Sequence, residues 1–131
     1  MHKYPNYQFL ICLTKESPYK EDSYEKEKNI TLIKGNTREV LKACDYGIVS
    51  SGTATLETML SKTPFCVIYK SNVLSNFLIS NFLLKLDYIS LPNILSNNKV
   101  VPELRQKKVT IKNIAKELNL LIKEPNKEMI S

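Results

Sequence analysis

The residues whose types and spacing could do chemistry form one run, Ser50, Ser51, Gly52, Thr53, Ala54, Thr55, Leu56 and Glu57. Glycine at position 52 permits a tight turn and lets a ligand approach backbone with no Cβ in the way. If a strand ends and a helix begins here, the first helical N–H groups have no intrahelical partner and carry partial positive charge. Ser51 and Thr53 add hydroxyl donors to them. Those are the parts of a cradle for a phosphate or diphosphate. Glu57 follows Thr53 by four residues, one helical turn, where a carboxylate can accept hydrogen bonds from ribose hydroxyls. The same residue types are also an ordinary way to cap a helix, so the run by itself leaves both readings open.

Other chemistries are excluded by what the chain lacks. No Gly-Lys-Ser/Thr follows the turn, so it is not a Walker loop. A nucleophile elbow needs Gly-x-Ser-x-Gly and a histidine base, whereas the single histidine is His2, beside the first methionine. Cys12, Cys44 and Cys66 are far apart and form no CxxC pair, which argues against a zinc site or a disulfide scaffold and for reduced thiols. No residue pattern calls for a metal, and none is expected.

The elements that must position the run follow from periodicity. Tyr7–Thr14 is a nearly continuous apolar run, as expected of a strand buried on both faces of a parallel sheet. The polar stretch Lys15–Asn29 reads as a loop or poorly packed helix. Ile30–Ile33 is a second β-type run. Asn36, three residues before Glu39, is a capping-box-like start for a helix through Cys44. Tyr46–Ser50 is a third strand, Thr53–Ser61 has helical composition, and Pro64–Tyr69 is a fourth apolar, β-branched strand. Val73–Leu86 is a helix candidate apolar on almost every side. Tyr88–Leu91 reads as a short strand before a Pro92-Asn93 turn, and Val101–Gln106 as a short helix. Thr110–Lys123 is the clearest helix, with Ile111, Ile114, Ala115, Leu118, Leu121 and Ile122 in one stripe. Alternating strands and helices predict an α/β fold, a Rossmann-like parallel sheet with helices on both faces. No repeat or linker divides the chain, so residues 1–131 are expected to form a single domain.

With 131 residues, 43% of them hydrophobic and 24% charged, the chain can bury a core without staples. Its formal charge of +6 comes mostly from lysine, and Arg38 and Arg105 are its only arginines. Lysine, asparagine and isoleucine rise together in proteins from AT-rich genes. Nucleic-acid surfaces usually rely on arginine, and these lysines are scattered beside acids, so a solvated basic surface is the expectation and nucleic acid is not an expected partner. Attraction to anionic lipid headgroups is compatible with the charge. No apolar signal core opens the chain, and Val73–Leu86 is too short to span a bilayer, which predicts a cytoplasmic protein.

The run Ser51–Glu57 is followed by Pro64, by a strand ending in Tyr69-Lys70, and then by the apolar helix candidate. Next come Asp87-Tyr88-Ile89-Ser90-Leu91-Pro92-Asn93-Ile94-Leu95 and Val100-Val101-Pro102-Glu103-Leu104. In order and spacing this resembles the C-terminal domain of lipid-A-disaccharide synthase, in the glycosyltransferase B superfamily, from about Tyr4 to Leu121. These are inverting enzymes that join UDP-2,3-diacylglucosamine to 2,3-diacylglucosamine 1-phosphate and release UDP.

The resemblance implies a UDP site. Ser51, Gly52 and Thr53 would hold the diphosphate, Glu57 the ribose, and Asn93 would face the nucleotide, although asparagine after Pro92 also suits a plain turn. Gln106 matches a recurrent polar position. Lys70 stands where the family often has arginine, either as a phosphate contact or as a solvated charge at a strand end. UDP-diacylglucosamine or UDP is the implied ligand, and no cofactor is implied. The expected fold is then half of a glycosyltransferase B fold, a partial domain without the acceptor domain and its general base. No catalytic residue is expected in this chain, which by itself would be inactive. A partner chain carrying the acceptor domain is one expectation; a non-catalytic UDP-binding remnant or module of a decayed or split gene is the alternative. Enzymes of acylated sugars work at membranes, so Val73–Leu86 is expected to lie in the interface of an anionic membrane, at the inner face of the inner membrane, or to be buried.

Overall fold

The structure, a computed structural model, describes residues 4–18, 28–50, 53–70 and 86–124. The chain divides into two units, Met1–Ala43 and Cys44–Ser131. All strand pairing among the described residues is parallel, and the fold class is α/β.

In the first unit, β1 (Phe9–Leu13) pairs with β2 (Ile30–Lys34) in a register that sets Phe9 opposite Ile30 and Leu13 opposite Lys34. The expectation that β1 is buried on both faces does not hold, because its side chains are only half-buried and Cys12 is exposed. Among the described residues β1 has β2 as its one strand neighbour, and a two-stranded sheet leaves much of each strand uncovered. Helix α1 (Thr37–Ala43) buries Val40 and Leu41. Asn36 precedes it with a left-handed φ of 53°, directly after Gly35 at 72°. The helix does start after Asn36, whose carbonyl accepts from the Val40 N–H (3.1 Å), but a capping box has an extended N-cap, so the box itself is not formed. Asn36 belongs instead to a tight left-handed turn in which the Gly35 N–H donates to the Leu13 carbonyl (3.1 Å).

The second unit holds β3 (Gly47–Ser50), α2 (Thr53–Leu60), β4 (Phe65–Tyr69), α3 (Leu91–Ser96), β5 (Glu103–Arg105), a 3-10 turn at Gln106–Lys108, and α4 (Ile111–Lys123). Its strands lie in the order β3-β4-β5, with Ser50 opposite Ile68 and Tyr69 opposite Arg105. Val49, Phe65, Val67 and Val101 form the core, and Ala54 and Met59 of α2 pack on that face. Phe65 is fully buried, which contributes roughly 2–3 kcal/mol by area. Cys66 points to the opposite face, where Glu117 of α4 is its electrostatic neighbour. Helices therefore cover both faces of this sheet, as the alternating pattern predicts.

Two expected elements exchange type. Tyr88–Leu91 is not a strand: Ser90 is the N-cap of α3, and Pro92 sits in its first turn, where a missing N–H costs nothing. Val101–Gln106 is not a helix but contains β5 and runs into the 3-10 turn. The expected stripe on α4 buries Leu118 and Leu121, yet Ile111 at its start is 90% exposed. The expected apolar helix at Val73–Leu86 lies outside the described residues apart from its last residue, Leu86.

Candidate nucleotide site at the carboxyl edge of the second sheet

Parallel strands place all their carboxyl ends on one side, and that edge is where ligands bind in open α/β sheets. Here the edge is marked by Ser50 at the end of β3, Lys70 after β4 and Gln106 after β5. Helix α2 starts three residues beyond Ser50 and runs back along β3, with Thr55 and Thr58 fully buried beneath it. Gly47 opens β3 beside Phe65 of β4: a Cβ there would come within 3.2 Å of the Phe65 Cβ, a tight cross-strand contact, and within an ordinary 3.8 Å of the Thr58 Cγ2 on α2. Thr58 satisfies its own buried hydroxyl by donating to the Ala54 carbonyl (2.7 Å). The N-terminus of α2 is thereby delivered to the same edge as Lys70 and Gln106.

Glu57 lies one turn into α2, half-buried, and its carboxylate has no partner among the described residues. Lys70 is exposed and likewise unpartnered. Gln106 is half-buried and opens the 3-10 turn with a left-handed φ of 49°. Ser51, Gly52 and the side chain of Thr53 lie outside the described residues.

Asn93 is placed differently from the expectation. It is fully buried and every position of its amide is filled within the protein. Its Nδ2 donates to the Val101 carbonyl (2.8 Å) and to the Glu103 Oε1 (2.9 Å), while its Oδ1 accepts from the N–H groups of Val100 (2.8 Å) and Val101 (2.9 Å). An asparagine amide has two donors and two acceptor positions, so nothing remains for a ligand. The side chain ties α3 to the chain entering β5, at that strand's amino end.

The partner it meets there was not anticipated from sequence. The Glu103 carboxylate, only 6% exposed, accepts from the Ile89 N–H (3.1 Å), the Ser90 N–H (2.8 Å), the Ser90 hydroxyl (2.7 Å), Asn93 and the Arg105 Nη2 (3.0 Å). Arg105 also donates to the carbonyls of Leu86 (2.6 Å) and Asp87 (2.5 Å). Burial alone would push the Glu103 carboxyl up, but the hydrogen bonds from Ser90, Ile89 and Asn93 outweigh it and hold the group below the usual carboxylate range. The available signal was arginine in a lysine-rich chain, since a planar five-donor fork does what an ammonium cannot.

Among the described residues no group of three or more His, Cys, Asp or Glu could hold a metal ion, and no helix is long and apolar enough to cross a membrane. A profile of the lipid-A-disaccharide synthetase family matches residues 1–131. The chain belongs to this family. It is 34% identical to the lipid-A-disaccharide synthase of Psychromonas ingrahamii over 98% of its own length and 35% of that protein. It is 38% identical to the synthase of Haemophilus influenzae strain PittEE over 93% of the chain and 32% of the relative. For the Vibrio cholerae O1 synthase the values are 35%, 98% and 35%. The chain thus spans about a third of the length of the curated lipid-A-disaccharide synthases it matches.

Proposed function

We propose that this chain supplies the nucleotide-sugar side of a glycosyltransferase of lipid A biosynthesis, one that moves 2,3-diacylglucosamine from its UDP conjugate to 2,3-diacylglucosamine 1-phosphate and releases UDP. The observation that carries the reading is the convergence of the α2 N-terminus, Lys70 and Gln106 on one carboxyl edge, with the unpartnered Glu57 carboxylate a turn below. In this reading Ser51, Gly52, Thr53 and the first N–H groups of α2 hold the diphosphate, Lys70 adds a positive charge, and Glu57 takes the ribose hydroxyls. Such donors favour the departing diphosphate most when its charge develops, which is how a cradle assists transfer. Inversion also needs a base to deprotonate the acceptor hydroxyl. That base comes from an acceptor domain, on the same protein or on a partner chain. The nucleotide sugar is a substrate, and the reading takes no metal or other cofactor.

Calorimetric titration of the folded 131-residue chain with UDP tests it. Binding is expected, and Glu57→Ala should weaken it about tenfold, as loss of hydrogen bonds to a charged acceptor does. A folded sample that shows no UDP binding overturns the nucleotide assignment. Unchanged affinity in Glu57→Ala removes Glu57 from the site.

The reading extends to peripheral contact with the cytoplasmic face of an anionic membrane. Exposed Lys107, Lys108 and Lys112 lie within four residues of the exposed Ile111 in the sequence, and basic residues near an exposed apolar side chain suit an anionic interface. Cosedimentation with phosphatidylglycerol vesicles should appear at low salt and fade as salt rises. Its absence at low salt overturns the membrane contact.

A further inference from the structure

We propose that Arg105 and Glu103 are positioning residues for the nucleotide site, fixing the end of β5 so that Gln106 is held at the sheet's carboxyl edge. The inference rests on the nucleotide reading above and adds to it a device that is remote from the ligand. Gln106 holds a φ of 49°, a region that glycine and asparagine enter readily and glutamine does not. Such a conformation persists only where the surrounding structure over-determines it. The residue immediately before it supplies that restraint. Arg105 is held at the Leu86 carbonyl, the Asp87 carbonyl and the Glu103 carboxylate, three acceptors from two separate stretches of chain. Glu103 is in turn held by Ser90 and Asn93 at the start of α3 and by the Ile89 N–H.

After Gln106 the chain closes a turn, the Val109 N–H donating to the Gln106 carbonyl (3.0 Å), before Thr110 caps α4. The left-handed residue is therefore clamped on both sides. None of the clamp's polar atoms needs to touch a nucleotide, and Asn93 has no capacity left to do so. Its role is carried through Glu103 and Arg105 to the edge.

The test is a double-mutant cycle read in UDP affinity, with folding followed in parallel by circular dichroism. Arg105→Lys keeps the charge but loses the fork, and Gln106→Ala removes the amide. Each should weaken UDP about tenfold, within the coupling expected of residues in contact. The double variant should bind no more weakly than the weaker single variant, because Arg105 acts through Gln106. A double variant weakened by the product of the two effects overturns the proposal, since a merely structural loss would simply add. Wild-type affinity in folded Arg105→Lys overturns it too. Should Arg105→Lys fail to fold, Ser90→Ala removes one hydroxyl donor from Glu103. It should weaken UDP two- to threefold in the wild-type background and not at all beside Gln106→Ala, and an equal effect in both backgrounds counts against the proposal. A folded wild-type chain that binds no UDP fails the nucleotide reading itself, whereas a binding wild type with an additive cycle fails only the clamp.

Discussion

A carboxylate with 6% exposure and donors from Ile89, Ser90, Asn93 and Arg105 is stable only while it stays ionised. Its folded pKa lies below the unfolded one, so its stabilisation is fully present above the ordinary carboxylate range and is lost as pH falls through the folded value. Glu103→Gln turns an NH2 group toward donors and leaves Arg105 without its charge partner, which should cost about 3 kcal/mol at neutral pH. Urea melts of wild type and variant should converge as pH drops below about 4. A gap that stays constant with pH would mean Glu103 contributes through shape rather than charge. Asn93 makes the complementary case. Asn93→Asp keeps the acceptor for Val100 and Val101 but sets an oxygen against the Glu103 carboxylate and the Val101 carbonyl. The expected result is a loss of several kcal/mol at neutral pH, relieved on acidification when one oxygen gains a proton and can donate to the other. Thermal melts at pH 7 and pH 5 read the difference, and a penalty equal at both would contradict it.

At the scale of elements, α4 shows what local sequence can decide. Thr110 accepts from the Asn113 N–H (3.1 Å), the Asn113 amide donates to the Lys108 carbonyl (2.8 Å), and Leu118 and Leu121 are buried one turn apart. Thr110→Ala should lower stability by about 1 kcal/mol and Thr110→Ser by much less. Equal urea midpoints for alanine and threonine would show that the cap is idle. Helix α4 was legible because thirteen residues hold enough turns for a period to show, and β1 to β4 because apolar β-branched runs are bounded by polar residues. The stretch from Tyr88 to Gln106 was not legible. Helix α3 has six residues and β5 has three, too few for either period, and their types are set by long-range bonds such as Asn93 to Val101 and Ser90 to Glu103. The site divides the same way. Glu57 and Lys70 could be placed from strand–helix alternation, because a parallel sheet fixes where strand ends lie, whereas Gln106, read as the end of a helix, was a candidate only through the family resemblance. The true occupation of Asn93 could not be placed, since nothing local tells a buried, saturated amide from one that faces a ligand.

At the scale of the whole molecule, the two faces of the second sheet give a direct reading of how far the Glu103 hub supports its unit. Cys66 sits on β4, fully buried, with burial and the Glu117 carboxylate pushing its thiol up to about 12. In the folded state it is neither reachable nor ionised, so alkylation waits for opening of the sheet between β4 and α4. Cys12 on the exposed part of β1 has no such protection and should react first at pH 8. If the hub holds α3 and β5 against β4 as one cooperative unit, the cost of Glu103→Gln should appear in full at Cys66, although Cys66 is not among the hub's hydrogen-bond partners. About 3 kcal/mol corresponds to roughly a hundredfold faster alkylation when opening and closing outpace the reagent. Mass spectrometry of iodoacetamide-treated protein separates the two cysteines. A Cys66 rate unchanged by Glu103→Gln, alongside a lowered urea midpoint, would mean that the segment around α3 opens by itself and leaves the strands of the nucleotide edge intact.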